Sequence, residues 1–275
     1  MKKLKISDVI FRIFAWFWAI VTLYPLLVTV LCSFKDNNGI YGNMFAFPEK
    51  WEFANYKDAL LSANMLRAIG NSLLLAISTT LLVVIVGMLA SYIFARMKYK
   101  FLTPCFMLFM LGVMIPIHTT VIPISRIAAN LGGYDKYWML VLVYTTFQLP
   151  QAIFLMTGYI RGISRELDEA AVIDGCGMTQ ILFKIILPIS KPIIATVSII
   201  SFVYAYSELI FSVILLSTPD KYPVSRSLMY FKGDFSVRMG PIFASIVLAV
   251  LPLTIIYLMF HEKVQAGMLS GSVKG

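Results

Sequence analysis

Few residues in this chain have a type and placement that could do chemistry. Of 14 acidic residues, Glu208 alone falls inside a long apolar stretch, and an ionisable group at membrane depth is by default a functional one. It could face a solute path or pair with a basic residue of another chain; close to a membrane surface it would simply stay hydrated. His118 stands between Pro116 and Pro123. It could relay a proton, but no carboxylate lies at helical spacing from it, so a polar lining group is the simpler reading. Asn71, Gln148 and Tyr206 are further polar groups that could line such a path. Cys32, Cys105 and Cys176 are widely separated and show no CxxC or Cys/His spacing, which points to neither a disulfide framework nor a metal site. No Ser/His/Asp, His-Glu-x-x-His or paired-carboxylate constellation occurs at a plausible depth. With no GxxxxGK[ST] run there is no phosphate-cradling loop, so energy for any transport must come from a partner or an ion gradient.

The elements that must position these groups belong to a bilayer. The 275 residues are 59% hydrophobic and 13% charged, with mean hydropathy +0.83; soluble domains are nearer one half apolar. A formal charge of +9 would suggest nucleic acid in a soluble protein. Here it fits loops facing anionic lipid, and nucleic acid is set aside.

Six apolar segments follow in order, near 13–31, 68–95, 101–124, 137–160, 192–217 and 239–260, each about long enough to cross a hydrocarbon core of roughly 20 helical residues. Lys2, Lys3, Lys5 and Arg12 hold the first start inside, as a retained signal anchor without a cleavage site. Arg96, Lys98 and Lys100 place the end of the second span inside as well. The inside segments carry 13 Lys and Arg against 10 outside, a weak bias, so orientation rests on the clusters next to span ends. Tyr41, Phe45, Phe47, Trp51, Phe53 and Tyr56 mark the first outer loop as an aromatic belt, and residues 51–60 there read as a short surface helix. Pro116 and Pro123 break the third span, Gln148, Pro150 and Gln151 give the fourth a polar, kink-prone centre, and both spans are thereby put against protein or a cavity. The expected fold is an all-α membrane protein with six transmembrane helices and both termini cytoplasmic.

Between the fourth and fifth spans lies the one long polar-to-amphipathic interruption, residues 165–192. Leu167, Ala170, Ala171 and Asp174 fall on one face of a short helix. The two alanines make a flat surface that a partner can approach closely. Gly175 and Gly177 stop that helix and turn the chain. A second helix begins near Met178 with Met178, Ile181, Leu182, Ile185 and Ile186 on one stripe, and Pro188 marks its limit. Pattern alone leaves a docking loop and an ordinary connector equally open.

Glu169-Ala170-Ala171, three residues, Gly175, nine residues, Ile185, one residue and Leu187-Pro188 match throughout the EAA signature of ABC-importer membrane subunits, and Asp174 and Phe183 suit its common form. The chain therefore resembles an ABC-importer permease. Asn71-Ser72, Ile115-Pro116, Ile122-Pro123 and the terminal Gly271-Ser272-Val273-Lys274-Gly275 look like the sugar-uptake branch, the maltose-importer type of six-span subunit. Tyr204-Ala205-Tyr206-Ser207-Glu208-Leu209 stands where the family often has a Trp-Asn-acidic-Phe-Leu run, with Tyr206, Ser207 and Leu209 departing from it. The resemblance implies a cytoplasmic coupling-helix loop, an N-terminal span with its external loop over 1–68, a core permease domain over 69–261 and a cytoplasmic tail over 262–275. It further implies a second homologous permease subunit, an ATPase subunit dimer that holds ATP-Mg while this chain binds no cofactor, an external solute-binding protein and a sugar substrate. The location would be a bacterial or archaeal plasma membrane, and Gly271, Lys274 and Gly275 would touch the ATPase interface. Amino-acid or polyamine import is the runner-up within this class. From another class, an ion-coupled secondary transporter would need coupling groups near broken midplane helices, for which one Glu and one His are thin provision.

Overall fold

The computed structural model describes the backbone of residues 6–232 and 237–272, and the side chains of residues 9–232 and 237–259. Helices account for nearly all of it. Among the described residues the extended pairing is a single antiparallel bridge, Lys232 to Val237. Four helices are long and apolar enough to cross a membrane: α1 (Ile6–Cys32), α4 (Met65–Arg96), α7 (Tyr137–Arg161) and α14 (Met239–Ser272). Two bent pairs raise the number of candidate spans to as many as six.

One compact unit takes in residues up to Leu66 together with Ser227–Pro252. It holds α1, α2 (Asn37–Gly42), α3 (Ala54–Leu61) and the start of α14. Here α3 is the short helix expected in residues 51–60. Asn55 stitches the segment after α1 by donating its side-chain amide to the carbonyls of Ser33 and Lys35, at 3.0 and 2.9 Å. Asn37 accepts from the Met239 N–H at 2.8 Å, fixing the first turn of α14. Three of the loop aromatics, Trp51, Phe53 and Tyr56, pack on the ring of Phe34 at 5.0 to 5.4 Å.

The other unit spans Arg67–Arg226 and the chain from Leu253 on. Its central helix is α7, which packs on both α5 (Leu102–Val113) and α11 (Lys191–Ser207). Approach is close where side chains are small. Gly112 of α5 lies so near Pro150 that an added Cβ would stand 3.0 Å from the ring, and Gly87 of α4 faces Ala152 and Met156. Val83, Met156, Ile160, Ile186 and Val197 are among the buried core residues that join α4, α7, the following loop and α11.

One expected span is broken where its prolines stand, and another needs correction. The third, 101–124, is not one continuous helix. α5 ends at Val113, and after a break the chain runs as a 3-10 turn (Ile117–Thr120) and α6 (Val121–Asn130), bent by 98° from α5. Pro116 sits extended at φ −65°, ψ 128°; a proline has no N–H to continue the ladder and disfavours helix in the residue before it. At 12 residues, α5 is about 18 Å long, short of a hydrocarbon core. The fifth, 192–217, is likewise interrupted: α11 stops at Ser207, Glu208 is extended, and α12 (Ile210–Leu215) starts afresh.

Candidate functional site

The loop between α7 and α11 folds into two helical pieces, α8 (Glu166–Ile173) and a continuous stretch over Met178–Ile189. Gly175 makes the turn between them. Its φ of +78° is the left-handed conformation that residues with a Cβ avoid. The Cys176 N–H reaches back to the Ala171 carbonyl at 2.8 Å and the Gly175 N–H to Val172 at 3.0 Å. These two bonds are the Schellman arrangement, which satisfies the last carbonyls of a helix. Gly177 then opens the next helix at φ −77°, its N–H held at 2.9 Å by the Gln180 side-chain oxygen.

Met178–Ile189 comprises α9 (Met178–Ile181), a π-helical turn over Leu182–Ile186 and α10 (Leu187–Ile189). It ends at Ile189, one residue past the expected limit at Pro188, with Ser190 at the bend. Having no N–H to bond the Lys184 carbonyl, the proline is accommodated by a widened preceding turn, as π-bulges permit. Ile181, Leu182 and Ile186 are buried, Ile185 and Leu187 are half-buried against the core, and Met178, Phe183 and Pro188 face outward. Met178, at the start of the expected stripe, is thus on its open side.

Of the expected face of α8, Leu167, Ala170 and Asp174 are exposed and one residue is not. Ala171 is 4% exposed and belongs to the core of its own unit. Among the exposed residues of α8, Leu167 and Val172 included, Glu166, Glu169, Ala170 and Ile173 form one stripe, with Ile173 86% exposed; Asp174 is the exposed C-cap. What turns the helix is Asp168. Its carboxylate pairs with Arg96 of α4 at 2.7 Å, with the Arg96 side chain 7% exposed. Arg96 also donates through both terminal nitrogens to the Ile163 carbonyl, at 3.1 and 3.2 Å. In return Arg161 and Arg165 donate to the Phe94 and Ala95 carbonyls near the end of α4. Sequence reasoning read Arg96 only as a topology marker; its function as a clasp depends on a partner 72 positions away that no local pattern reveals.

Glu208 has a structural occupation. Its carboxylate accepts from the Phe211 N–H at 3.0 and 3.2 Å and from the Ser212 N–H at 3.4 Å, capping the first turn of α12. At the other end Arg226 donates to the carbonyls of Ser212 (2.8 Å), Val213 (3.1 Å) and Leu216 while lying over the Tyr222 ring. The segment after α12 is pinned from several sides. Asn71 donates to the Asp220 and Tyr222 carbonyls at 2.9 and 3.1 Å, the Ser72 hydroxyl accepts from the Val224 N–H at 2.9 Å, and Arg67 pairs with Asp220 at 2.8 Å. Asp135, itself at φ +58°, accepts from Lys221 at 2.5 Å, from the Thr218 and Ser217 N–H groups and from the Thr218 hydroxyl. The Lys221 ammonium first, and those donors next, hold its carboxyl well below the usual carboxylate range.

The remaining expected path residues do not converge. Tyr206 is buried and stacks on Phe202. Gln148 is buried beside a narrow cleft shared with Gln151 and Ser201. His118 is exposed in the turn between α5 and α6. A cavity of about 460 Å³ at that bend is lined by apolar groups such as Leu108, Phe109, Pro123, Phe147 and Pro150, and includes neither His118 nor Gln148. Gly271 falls in the last turns of α14, while Lys274 and Gly275 lie outside the described residues.

Known proteins share both sequence and fold. The multiple sugar-binding transport system permease protein of Streptococcus mutans is 33% identical over 93% of this chain and 93% of its own. The melibiose/raffinose/stachyose import permease of Bacillus subtilis is 31% identical over 93% and 91%. Among solved structures, a chain of a bacterial ABC transporter involved in the import of the acidic polysaccharide alginate superposes with a TM-score of 0.79 at 19% identity, covering 95% of this chain and 99% of that one. A family profile described as binding-protein-dependent transport system inner membrane component matches residues 83–270. That stretch includes α7, the α8 loop and the α11–α12 break, and the chain accordingly belongs to this family of multi-pass inner-membrane transport subunits.

Proposed function

We propose that this chain is one of two permease subunits of an ABC importer for carbohydrate, an oligosaccharide delivered by an external solute-binding protein. In this reading α5 with α6 and α11 with α12 complete six spans, both termini are cytoplasmic, and α8 is a cytoplasmic coupling helix that docks on an ATPase dimer holding ATP-Mg. The chain is the conduit, and hydrolysis occurs on its partner.

The observation that carries this reading is the outward stripe of α8. Ile173 stands 86% exposed beside Glu166, Glu169 and Ala170, and a large apolar side chain so presented fits a helix-in-groove contact. Gly175 sets the angle of the stripe, and Glu169 contributes a polar contact at its edge. ATP closes the ATPase pair only by binding the closed state more tightly, and rigid-body movement of the spans would then switch access from one side to the other. The sugar assignment draws on relatives whose names specify multiple sugars, melibiose/raffinose/stachyose and maltodextrin.

The test is Ile173→Glu in the affinity-tagged chain, purified from membranes that express the whole complex. A buried anchor residue lost from an interface costs about 2 kcal/mol or more, so recovery of the ATPase with the tagged chain should fall by roughly 30-fold. Undiminished recovery, with uptake of raffinose and maltotriose into proteoliposomes intact, would show that α8 is not the docking helix.

A further inference from the structure

α4 is fastened at both ends. At its C-terminal end Arg96 holds Asp168 and the Ile163 carbonyl, Arg161 and Arg165 hold the Phe94 and Ala95 carbonyls, and Tyr92 donates to Met178 at 3.4 Å. At its N-terminal end Arg67, Asn71 and Ser72 hold Asp220, Tyr222 and Val224. Between these clasps the helix runs without a proline through its 32 residues, about 48 Å, with Gly87 packed close to α7.

From this arrangement we infer that α4 is the transmission rod between the α8 loop and the segment 217–224, so that ATP-driven movement at one is felt at the other. The inference rests on the reading of α8 as the ATPase-docking helix. Physical coupling over such a distance needs an element that passes displacement without absorbing it, clasped at each end by contacts that do not slip. An unbroken helix meets the first condition. The second is met at the α8 end by an ion pair sheltered from solvent, with Arg96 also donating through both terminal nitrogens to the Ile163 carbonyl. It is met at the other end by side-chain bonds to three backbone groups, at Asp220, Tyr222 and Val224, and backbone cannot rotate away as a side chain does. The remaining contacts of segment 217–224, through Asp135 and Arg226, reach α12 and the turn before α7. α7 also leads from that turn to the α8 loop, but it carries Pro150 inside the helix, whereas α4 touches both places with no proline along it. Arg96, Asp168, Asn71 and Ser72 are therefore positioning residues for coupling and touch neither nucleotide nor solute.

The test is amide hydrogen exchange on the tagged complex in nanodiscs, with and without ATP plus orthovanadate. In the wild type, trapping nucleotide should alter exchange in 166–175 and also in 217–224. Asp168→Asn at one end and Ser72→Ala at the other should each shrink the response of 217–224 by roughly 2- to 30-fold, the range of coupling changes seen for residues that touch neither ligand. In Ser72→Ala, 166–175 should still respond, and Asp168→Glu should recover part of the loss. Rod transmission is overturned if 217–224 stays silent in the wild type while 166–175 responds, or if it responds at wild-type strength in either Asp168→Asn or Ser72→Ala. If no ATPase accompanies the tagged chain, the docking assignment fails first and takes the rod with it; if the ATPase is present, the two failures are separable.

Discussion

Replacing Gly175 isolates a backbone requirement. Nothing lies within 4 Å of a Cβ built there, so Gly175→Ala meets no clash and its entire cost is that of holding an L-residue at φ +78°, about 1–2 kcal/mol. If the loop escapes that strain, the Cys176 to Ala171 and Gly175 to Val172 bonds are the first to open, and α8 swings away from its seat. With RT near 0.59 kcal/mol, that range corresponds to a roughly 5- to 30-fold smaller population of the correctly angled loop. Asn tolerates the left-handed region better than Ala, and a β-branched residue tolerates it worst, giving the expected order Gly, Asn, Ala, Val. Gly177 supplies the control. Its φ of −77° and ψ of 167° suit any residue, and Ser is a favoured N-cap, so Gly177→Ser should be neutral or mildly stabilising. The assay is recovery of the ATPase with each tagged variant, alongside exchange at the Cys176 amide. Equal recovery for Gly, Asn, Ala and Val at 175, or a loss at Gly177→Ser as large as at Gly175→Ala, would refute the backbone explanation.

Two further substitutions probe the caps. Glu208→Ala leaves the Phe211 and Ser212 N–H groups without their acceptor and should destabilise the complex by about 0.5–2 kcal/mol, read as a lower Tm; Glu208→Gln keeps an acceptor oxygen and should recover most of the loss. If Gln is as damaging as Ala, the charge itself is required and the capping account fails. For Asp135, the folded carboxyl titrates below its ordinary value of 3.8. The bonds it makes therefore stabilise fully above about pH 4, and their contribution is lost as pH falls through the lower folded pKa, because the unfolded carboxylate takes up its proton first. The Tm gap between wild type and Asp135→Asn should hold from pH 7 to about pH 4.5 and narrow below pH 4. A gap that narrows already between pH 7 and 5 would point to a different group.

What could be read from the sequence was whatever repeats locally or matches at fixed spacing. Long apolar runs gave the positions of α1, α4, α7 and α14 to within a few residues at most ends. The Glu169-Ala170-Ala171 signature with Gly175, Ile185, Leu187 and Pro188 located the loop and its glycine turn. Two kinds of information were hidden. Hydropathy does not register a break when both halves stay apolar: Pro116 and Pro123 marked the one in the third span, while the interruption at Glu208 disappeared into a single expected span. The facing of α8 was hidden for another reason. Its eight residues make little more than two turns, and apolar Leu167, Ala170, Ala171, Val172 and Ile173 leave several faces equally plausible. A single distant contact, Arg96 to Asp168, fixes the buried side and takes Ala171 out of the open face, while Leu167, Ala170 and Asp174 stay exposed.

The charged groups near the helix breaks share one physical explanation. A helix that stops inside an apolar environment leaves N–H groups at its start and carbonyls at its end without water to bond them, each costing several kcal/mol if nothing else does. α12 is only 6 residues long, so it has more orphan groups than internal bonds. Glu208 answers the donors at its start and Arg226 the acceptors at its end, the signs that a helix dipole also favours. Arg161 and Arg165 do the same for the carbonyls of Phe94 and Ala95. In the other unit Lys35, 4% exposed, donates to the carbonyls of Asn43 and Met44. A buried charge is costly on its own, yet a charge whose partners are orphan backbone groups removes two penalties at once. The lone carboxylate in an apolar stretch is then better explained by the broken helix beside it than by a solute. The excess of basic residues, too, belongs in part to helix ends, where carbonyls outnumber the donors that reach them.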